Sequence, residues 1–201
     1  MPTPLATAVS ASAILAGLCL VLSVLSREYS WVDRVWSIVP VLYVAWFATS
    51  VDWLEPRLIL MTVLVAAWGA RLTYNFARKG GYRRGGEDYR WKELRRRMSP
   101  AIFQVFNVFF ISGFQNVLLL LLALPAWVAA KQGPSPLAAL DAVATALFAT
   151  FLVGEAVADQ QQWRFQSAKA ARRRAGLPPG PEFLSEGLFR YSRHPNFFCE
   201  Q

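Results

Sequence analysis

The sequence predicts an all-α fold, a polytopic bundle of at least five transmembrane helices in a single membrane domain over residues 1–201. Three observations lead there. Hydrophobic residues make up 55% of a 201-residue chain, more than a soluble domain of that length can enclose in one core. Those residues fall into long uncharged blocks, each near the length needed to cross about 30 Å of hydrocarbon. The 21 Lys and Arg residues, which give a formal charge of +8, are crowded into the segments between the blocks.

The first span covers residues 5–25, 21 positions without a charge. No basic leader precedes it, so it reads as a retained helix rather than a cleaved signal peptide. Residues 35–54 form the second span, with Asp52 near its outer end and Pro40 inside it as an expected kink. The third, 58–76, joins a short apolar run to Leu72–Phe76. The fourth, 105–130, is uncharged over 26 residues and contains Pro125, and the fifth is 137–158.

Charge asymmetry then orients the bundle. Ten Lys and Arg residues lie between Arg71 and Arg97 and seven between Arg164 and Arg193. With five spans these loops, 77–100 and 159–196, fall on one side together with Arg27 and Arg34, leaving only Arg57 and Lys131 opposite. Retention of cations on the inner face makes that side cytoplasmic and places the N-terminus outside. The basic balance therefore reads as topology and not as a nucleic-acid surface, and no nucleic-acid partner is expected. Ala171–Pro181 (AARRRAGLPPGP runs through it) should break any helix. Cys19 and Cys199 are too far apart to suggest a disulfide framework, and a single histidine, His194, removes any multi-histidine metal site.

Four polar groupings at helical spacing are candidates for chemistry. Arg71, Tyr74, Asn75 and Arg78 share a face at the end of the third span, where snorkelling basic residues and a tyrosine anchor are the structural alternative. A stripe of Glu155, Asp159, Gln162, Gln166 and Lys169 runs down the fifth helix. A carboxylate at membrane depth is costly, so Glu155 is a functional candidate, with an interhelical salt bridge as the alternative. Gln104, Asn107, Gln115 and Asn116 cluster in the fourth span, where hydrogen bonding between helices explains them without chemistry. The last grouping is Gly187–Glu200, GLFRYSRHPNFFCE. Tyr191, Ser192, Arg193 and His194 combine a stacking ring, a hydroxyl, a fork of donors and a switchable charge, suited to the phosphates of a nucleotide. No Rossmann or P-loop glycine fingerprint and no HExxH motif is present.

That last run resembles the C-terminal signature of the steroid 5-alpha-reductase-like membrane proteins, and within them is most similar to the DUF1295 family. Asp33–Ser37 (DRVWS), Arg71–Trp91 (RLTYNFARKGGYRRGGEDYRW) and Asp159–Lys169 (DQQQWRFQSAK) fit that family in order. The resemblance implies an integral membrane reductase that uses NADPH to reduce a C=C bond in a lipid-like enone, a steroid or isoprenoid drawn from the bilayer. It maps cofactor-holding positions onto Tyr191, Asn196 and Glu200, with Arg193 and His194 matching the sterol-reductase version of the element. Asp159 and Lys169 carry cofactor or loop-ordering roles. Arg78 is added to the cofactor set, and Tyr74 and Glu155 are the candidate catalytic groups, from helical geometry rather than from the family. The family continues through further helices after this signature, so the resemblance also implies a C-terminal truncation. An S-adenosylmethionine-dependent membrane methyltransferase, which carries a similar Arg-His-Pro element, is the alternative activity; a non-catalytic truncated relative is the third reading. The expected location is a bacterial plasma membrane, or the endoplasmic reticulum in a eukaryote.

Overall fold

A computed structural model describes residues 2–51, 55–178 and 180–200. Among the described residues every regular element is a helix, with no strand. Four helices are long and apolar enough to cross a membrane, Pro4–Ser26, Pro56–Arg78, Pro100–Gln132 and Ala139–Arg174, beside a shorter apolar helix, Val39–Thr49. The protein is an integral membrane helical bundle. The chain divides into two compact units, Met1–Leu137 and Ala138–Gln201.

In the first unit, α1 (Pro4–Ser26) starts on a Thr3 cap whose hydroxyl accepts the Ala6 N–H at 3.2 Å. Pro4 loses nothing there, because the first helical N–H groups have no partner in the helix. α1 stops where Arg27 adopts a left-handed conformation, φ 55°. The second predicted span is shorter than its apolar run: α2 (Trp31–Val35) and α3 (Val39–Thr49) are separated by a turn over 36–38. Pro40 is the physical reason. It offers no N–H to the carbonyl four residues back and its ring crowds that carbonyl, so the helix re-forms around it at α3's start. Together residues 31–49 cover about 28 Å at roughly 1.5 Å per residue. Residues 52–54, Asp52 included, lie outside the described residues.

α4 (Pro56–Arg78) is capped by Glu55, whose carboxylate accepts the Leu58 N–H at 2.6 Å. The predicted loop 77–100 is partly helical, with α5 at Tyr89–Arg97. The fourth span comprises α6 (Pro100–Phe106), a π-helix (Asn107–Phe114) and α7 (Gln115–Gln132). The wide turn carries a polar ladder: Asn107 donates to Ser23 Oγ at 2.9 Å, Ser112 donates to Asn107 at 3.3 Å, and Asn116 donates to the Ser112 carbonyl at 2.8 Å. Gln104 donates to the Tyr29 hydroxyl at 2.9 Å, and Ser12 on α1 donates to the Asn116 carbonyl at 3.2 Å. These groups do join helices, which is how membrane interiors satisfy polar side chains. Phe47 and Ala48 of α3 and Leu119, Ala123 and Ala126 of α7 are fully buried; the alanines let the two backbones approach closely.

α4 also packs closely, through Gly69, on the turn before α3 and on α3's first residues. A Cβ built on Gly69 would sit 2.5 Å from the Ser37 carbonyl oxygen and 2.8 Å from a Val41 methyl. Ser37 and Thr73 share a 2.7 Å hydrogen bond one turn further on. Gly69→Ala should therefore destabilise the unit by about 1–3 kcal/mol through overpacking. Gly17→Ala, where nothing lies within 4 Å, should be neutral or slightly stabilising. Thermal unfolding of both variants in one detergent tests this; equal melting temperatures would contradict it.

Candidate functional site

The second unit is built on α8 (Ala139–Arg174), 36 residues long. Its N-terminus is fastened by Asp141, whose carboxylate accepts the Ala138 N–H at 2.8 Å. At about 1.5 Å per residue α8 is some 54 Å long, about 24 Å more than a hydrocarbon core requires. Residues 159–174 of the predicted loop 159–196 are thus helix, and the break expected in Ala171–Pro181 falls after Arg174. The excess turns carry the polar stripe foreseen from the spacing.

Beyond Arg174 the chain reverses and follows α8 back, and a ladder of contacts fixes its register. Arg172 donates to the Pro178 carbonyl at 3.0 and 3.3 Å, and Lys169 donates to the Glu182 carbonyl at 2.9 Å. Gln161 accepts the Leu188 N–H at 3.0 Å beside Gly187, whose φ of 61° favours glycine and whose added Cβ would meet the Gln161 amide at 2.5 Å. Asn196 approaches Asp159 at 3.5 Å, and a Cβ on Gly154 would lie 2.7 Å from the Cys199 sulfur. The signature run folds as a single 3₁₀ turn (Gly187–Arg190) followed by α9 (Pro195–Glu200). α9 therefore lies against the apolar, membrane-level part of α8.

This geometry groups the candidates. Asp159, buried, and Asn196 come together, joining the DQQQW and RHPN stretches. Ser192 accepts the His194 N–H at 3.2 Å, which shapes the turn between them. Tyr191, Arg193 and His194 are exposed alongside, Tyr191 at 84%. Glu200 is exposed on α9, and Lys169 lies about 15 Å along α8 from Asp159. Glu155 is fully enclosed, with 2% exposure. Tyr74 and Arg78 belong to the first unit, where the guanidinium stands 5.3 Å above the tyrosine ring. Tyr74 is exposed and Asn75 beside it is buried, so that grouping divides between two sides of α4. Gln161, which holds the signature's 3₁₀ turn, escaped the spacing argument because the stripe selects its neighbour Gln162.

The remaining motif stretches build a scaffold in the first unit. Arg34, 9% exposed, pairs with Glu28 at 2.7 Å, donates to the Gly81 carbonyl at 3.3 Å and the Arg83 carbonyl at 3.4 Å, and covers the Trp31 ring at 4.4 Å. Glu87 accepts the Tyr29 N–H at 2.8 Å and pairs with Arg95 at 3.3 Å. Trp91 donates its indole N–H to Asp33 at 2.8 Å. Arg34's hydrogen bond, with a second from the Gly85 N–H, holds the Glu28 carboxyl below the usual carboxylate range. DRVWS and GEDYRW are thus two halves of one clasp. Their spacing along the chain carries no sign of it; the paired acids and bases do, once read as partners.

The two units differ in how their cations are used. Arg34, Arg90, Arg95, Arg96 and Arg97 all pair with carboxylates. Among the described residues, Lys169 and Arg172 meet only backbone carbonyls, through the hydrogen bonds given above. The first set is tied to acidic side chains; the second is tied to the backbone of the returning chain.

Comparison with known proteins agrees with the motif assignment. The profile of the family described as "Protein of unknown function (DUF1295)" matches residues 19–201. An uncharacterized protein of Schizosaccharomyces pombe is 40% identical over 193 residues, covering 89% of this chain and 56% of its own. The chain thus spans little more than half the length of that relative. No solved structure matches it significantly.

Proposed function

The chain belongs to the DUF1295 family, and from that premise we propose that it is a membrane reductase acting with NADPH on a C=C bond of a lipophilic enone. The observation that carries this reading is the junction of Asp159 with Asn196, which folds the signature back onto the polar stripe and leaves Tyr191, Arg193 and His194 presented to solvent beside it. A stacking ring, a donor fork and a titratable imidazole around one amide suit a pyrophosphate-linked nucleotide. NADPH, when bound, supplies a hydride. The chain's own residues do the rest. Asp159 orients the Asn196 amide, Arg193 and His194 meet phosphate charge, and Ser192 sets the turn that spaces them. Glu155, enclosed on α8, is this unit's candidate for polarising the carbonyl or returning a proton, and Tyr74 is a separate candidate within the first unit. A lipid bilayer around the long helices delivers a substrate that partitions into it. The orientation that fits places the N-terminus outside and the basic ends of α4 and α8 in the cytoplasm, in a bacterial plasma membrane or the endoplasmic reticulum.

Ligand protection of the purified protein in detergent tests the reading. At a concentration about 100 times its dissociation constant, NADPH should stabilise the folded state by about 2.7 kcal/mol, visible as a rise in melting temperature, while S-adenosylmethionine leaves it unmoved. The opposite pattern would replace the reductase with a methyltransferase. Protection by neither would leave a non-catalytic relative.

A further inference from the structure

A groove of about 170 Å³ lies between the last turns of α8 and the returning chain, lined by Phe165, Lys169, Arg172, Phe183, Ser185 and Glu186 among others. It is too small for a whole dinucleotide, since sites for drug-sized ligands run to roughly 300–1,000 Å³, but large enough for one end of one. Its walls combine aromatic faces with one carboxylate, Glu186, and two cations whose hydrogen bonds go to backbone carbonyls. Gly180 adds to the opening: a Cβ there would stand 3.3 Å from the Arg172 Nε, so the bare backbone gives the guanidinium its space.

Distance selects the ligand. Lys169 and Arg172 lie about 20–25 Å along α8 from Glu155, whereas headgroups add only about 5–8 Å beyond each face of the hydrocarbon. With α8 along the membrane normal, that spacing favours a soluble phosphate over a lipid headgroup. From Asp159 to the two cations is about 15–20 Å along the helix, comparable with an extended nicotinamide dinucleotide whose reactive end rests near Asp159 and Asn196. We propose that this groove is the adenosine end of the cofactor site, with Phe165 and Phe183 flanking the base and Lys169 and Arg172 holding a 2′-phosphate. This rests on the reductase reading and extends it. It makes the α8 groove the source of any preference for NADPH over NADH, and assigns Arg193, at the other end of the register, to charge common to both.

The test uses the full chain in detergent with 2′,5′-ADP, NADPH and NADH as probes. Lys169→Gln removes the charge yet keeps a donor for the Glu182 carbonyl, so the loop stays tied. It should weaken NADPH and 2′,5′-ADP about 10-fold or more, the scale of one charged hydrogen bond, and leave NADH within about twofold. Arg172→Gln should do the same, while Arg193→Ala weakens NADPH and NADH alike. If Lys169→Gln and Arg172→Gln reduce NADPH and NADH equally, or neither, the groove assignment is overturned and the reductase reading survives. If the unaltered protein binds 2′,5′-ADP through these cations but not NADPH, the groove takes an adenosine phosphate that is no part of a cofactor, and its assignment falls with the reductase reading. Binding of neither probe to the unaltered protein removes both.

Discussion

Arg34→Ala is expected to destabilise the first unit by about 2–4 kcal/mol. Removing one partner of a buried ion pair strands the other and typically costs about 3–5 kcal/mol; the range is lowered here because the Glu28 side chain keeps 18% of its surface in water. The change also strips the Gly81 and Arg83 carbonyls of a donor and uncovers Trp31. Arg34→Lys restores one charge on a single point and cannot serve the carboxylate and two carbonyls together, so it should recover less than half of the loss. Acid provides a second readout. Glu28 titrates below its ordinary value of 4.5 in the folded protein, so its contribution is complete above that value and is lost as pH falls through the lower folded value. The unaltered protein should therefore lose stability on acidification below about pH 4.5, and Arg34→Ala should flatten that slope. A variant that unfolds within 0.5 kcal/mol of the original, with an unchanged acid slope, would show that the clasp is ornamental.

The sequence reveals this architecture unevenly, and the physical reasons differ from element to element. Long uncharged runs mark α1, α4 and the fourth span because hydrocarbon tolerates little else over that length. The break before α3 was visible in kind, since Pro40 cannot serve a helix interior, though its effect on the span's length was not. Nothing in the composition of Asn107–Phe114 signals a π-helix. The wide turn depends on Asn107 meeting Ser23 on another helix, a contact between residues 84 apart. α8 was underestimated because polar residues after Ala158 resemble a loop, although the spacing from Glu155 to Lys169 already followed a helix. The reversal along α8 was hidden for a different cause. Its rungs pair Arg172 with Pro178, Gln161 with Leu188 and Asp159 with Asn196, and most of them use backbone atoms that every sequence possesses. The same holds for the clasp: Asp33, Arg34 and Glu87 enter a charge count as signs, but their function comes from partners that only the fold supplies.

Trp91→Ala carries the other large expected effect, and its form is local. α5 reads YRWKELRRR, and Trp91 is the one residue of it that is buried, at 4% exposure. The indole packs 6.4 Å from the Phe106 ring and reaches Asp33 with its N–H. An isolated nine-residue helix is marginal in water, so α5 depends on this anchor together with the Asp88 cap, whose carboxylate accepts the Arg90 N–H at 2.8 Å. Truncating a buried tryptophan costs about 3–5 kcal/mol. Because the neighbouring spans hold themselves together through Phe47, Leu119 and Ala123, that cost should appear as release of α5 rather than as global unfolding. Amide exchange over residues 89–97 should then accelerate by about 100-fold or more, and trypsin should cut at Arg95–Arg97, while the exchange of α1 and α7 changes little. Trp91→Phe keeps a ring but leaves Asp33 without its donor, so it should fall between, at about 1–3 kcal/mol. Unchanged protection of α5 in Trp91→Ala would mean that the basic loop is held by its ion pairs alone. Exposed pairs such as Arg97 with Glu93 are worth no more than about 1 kcal/mol each, too little to replace a buried indole.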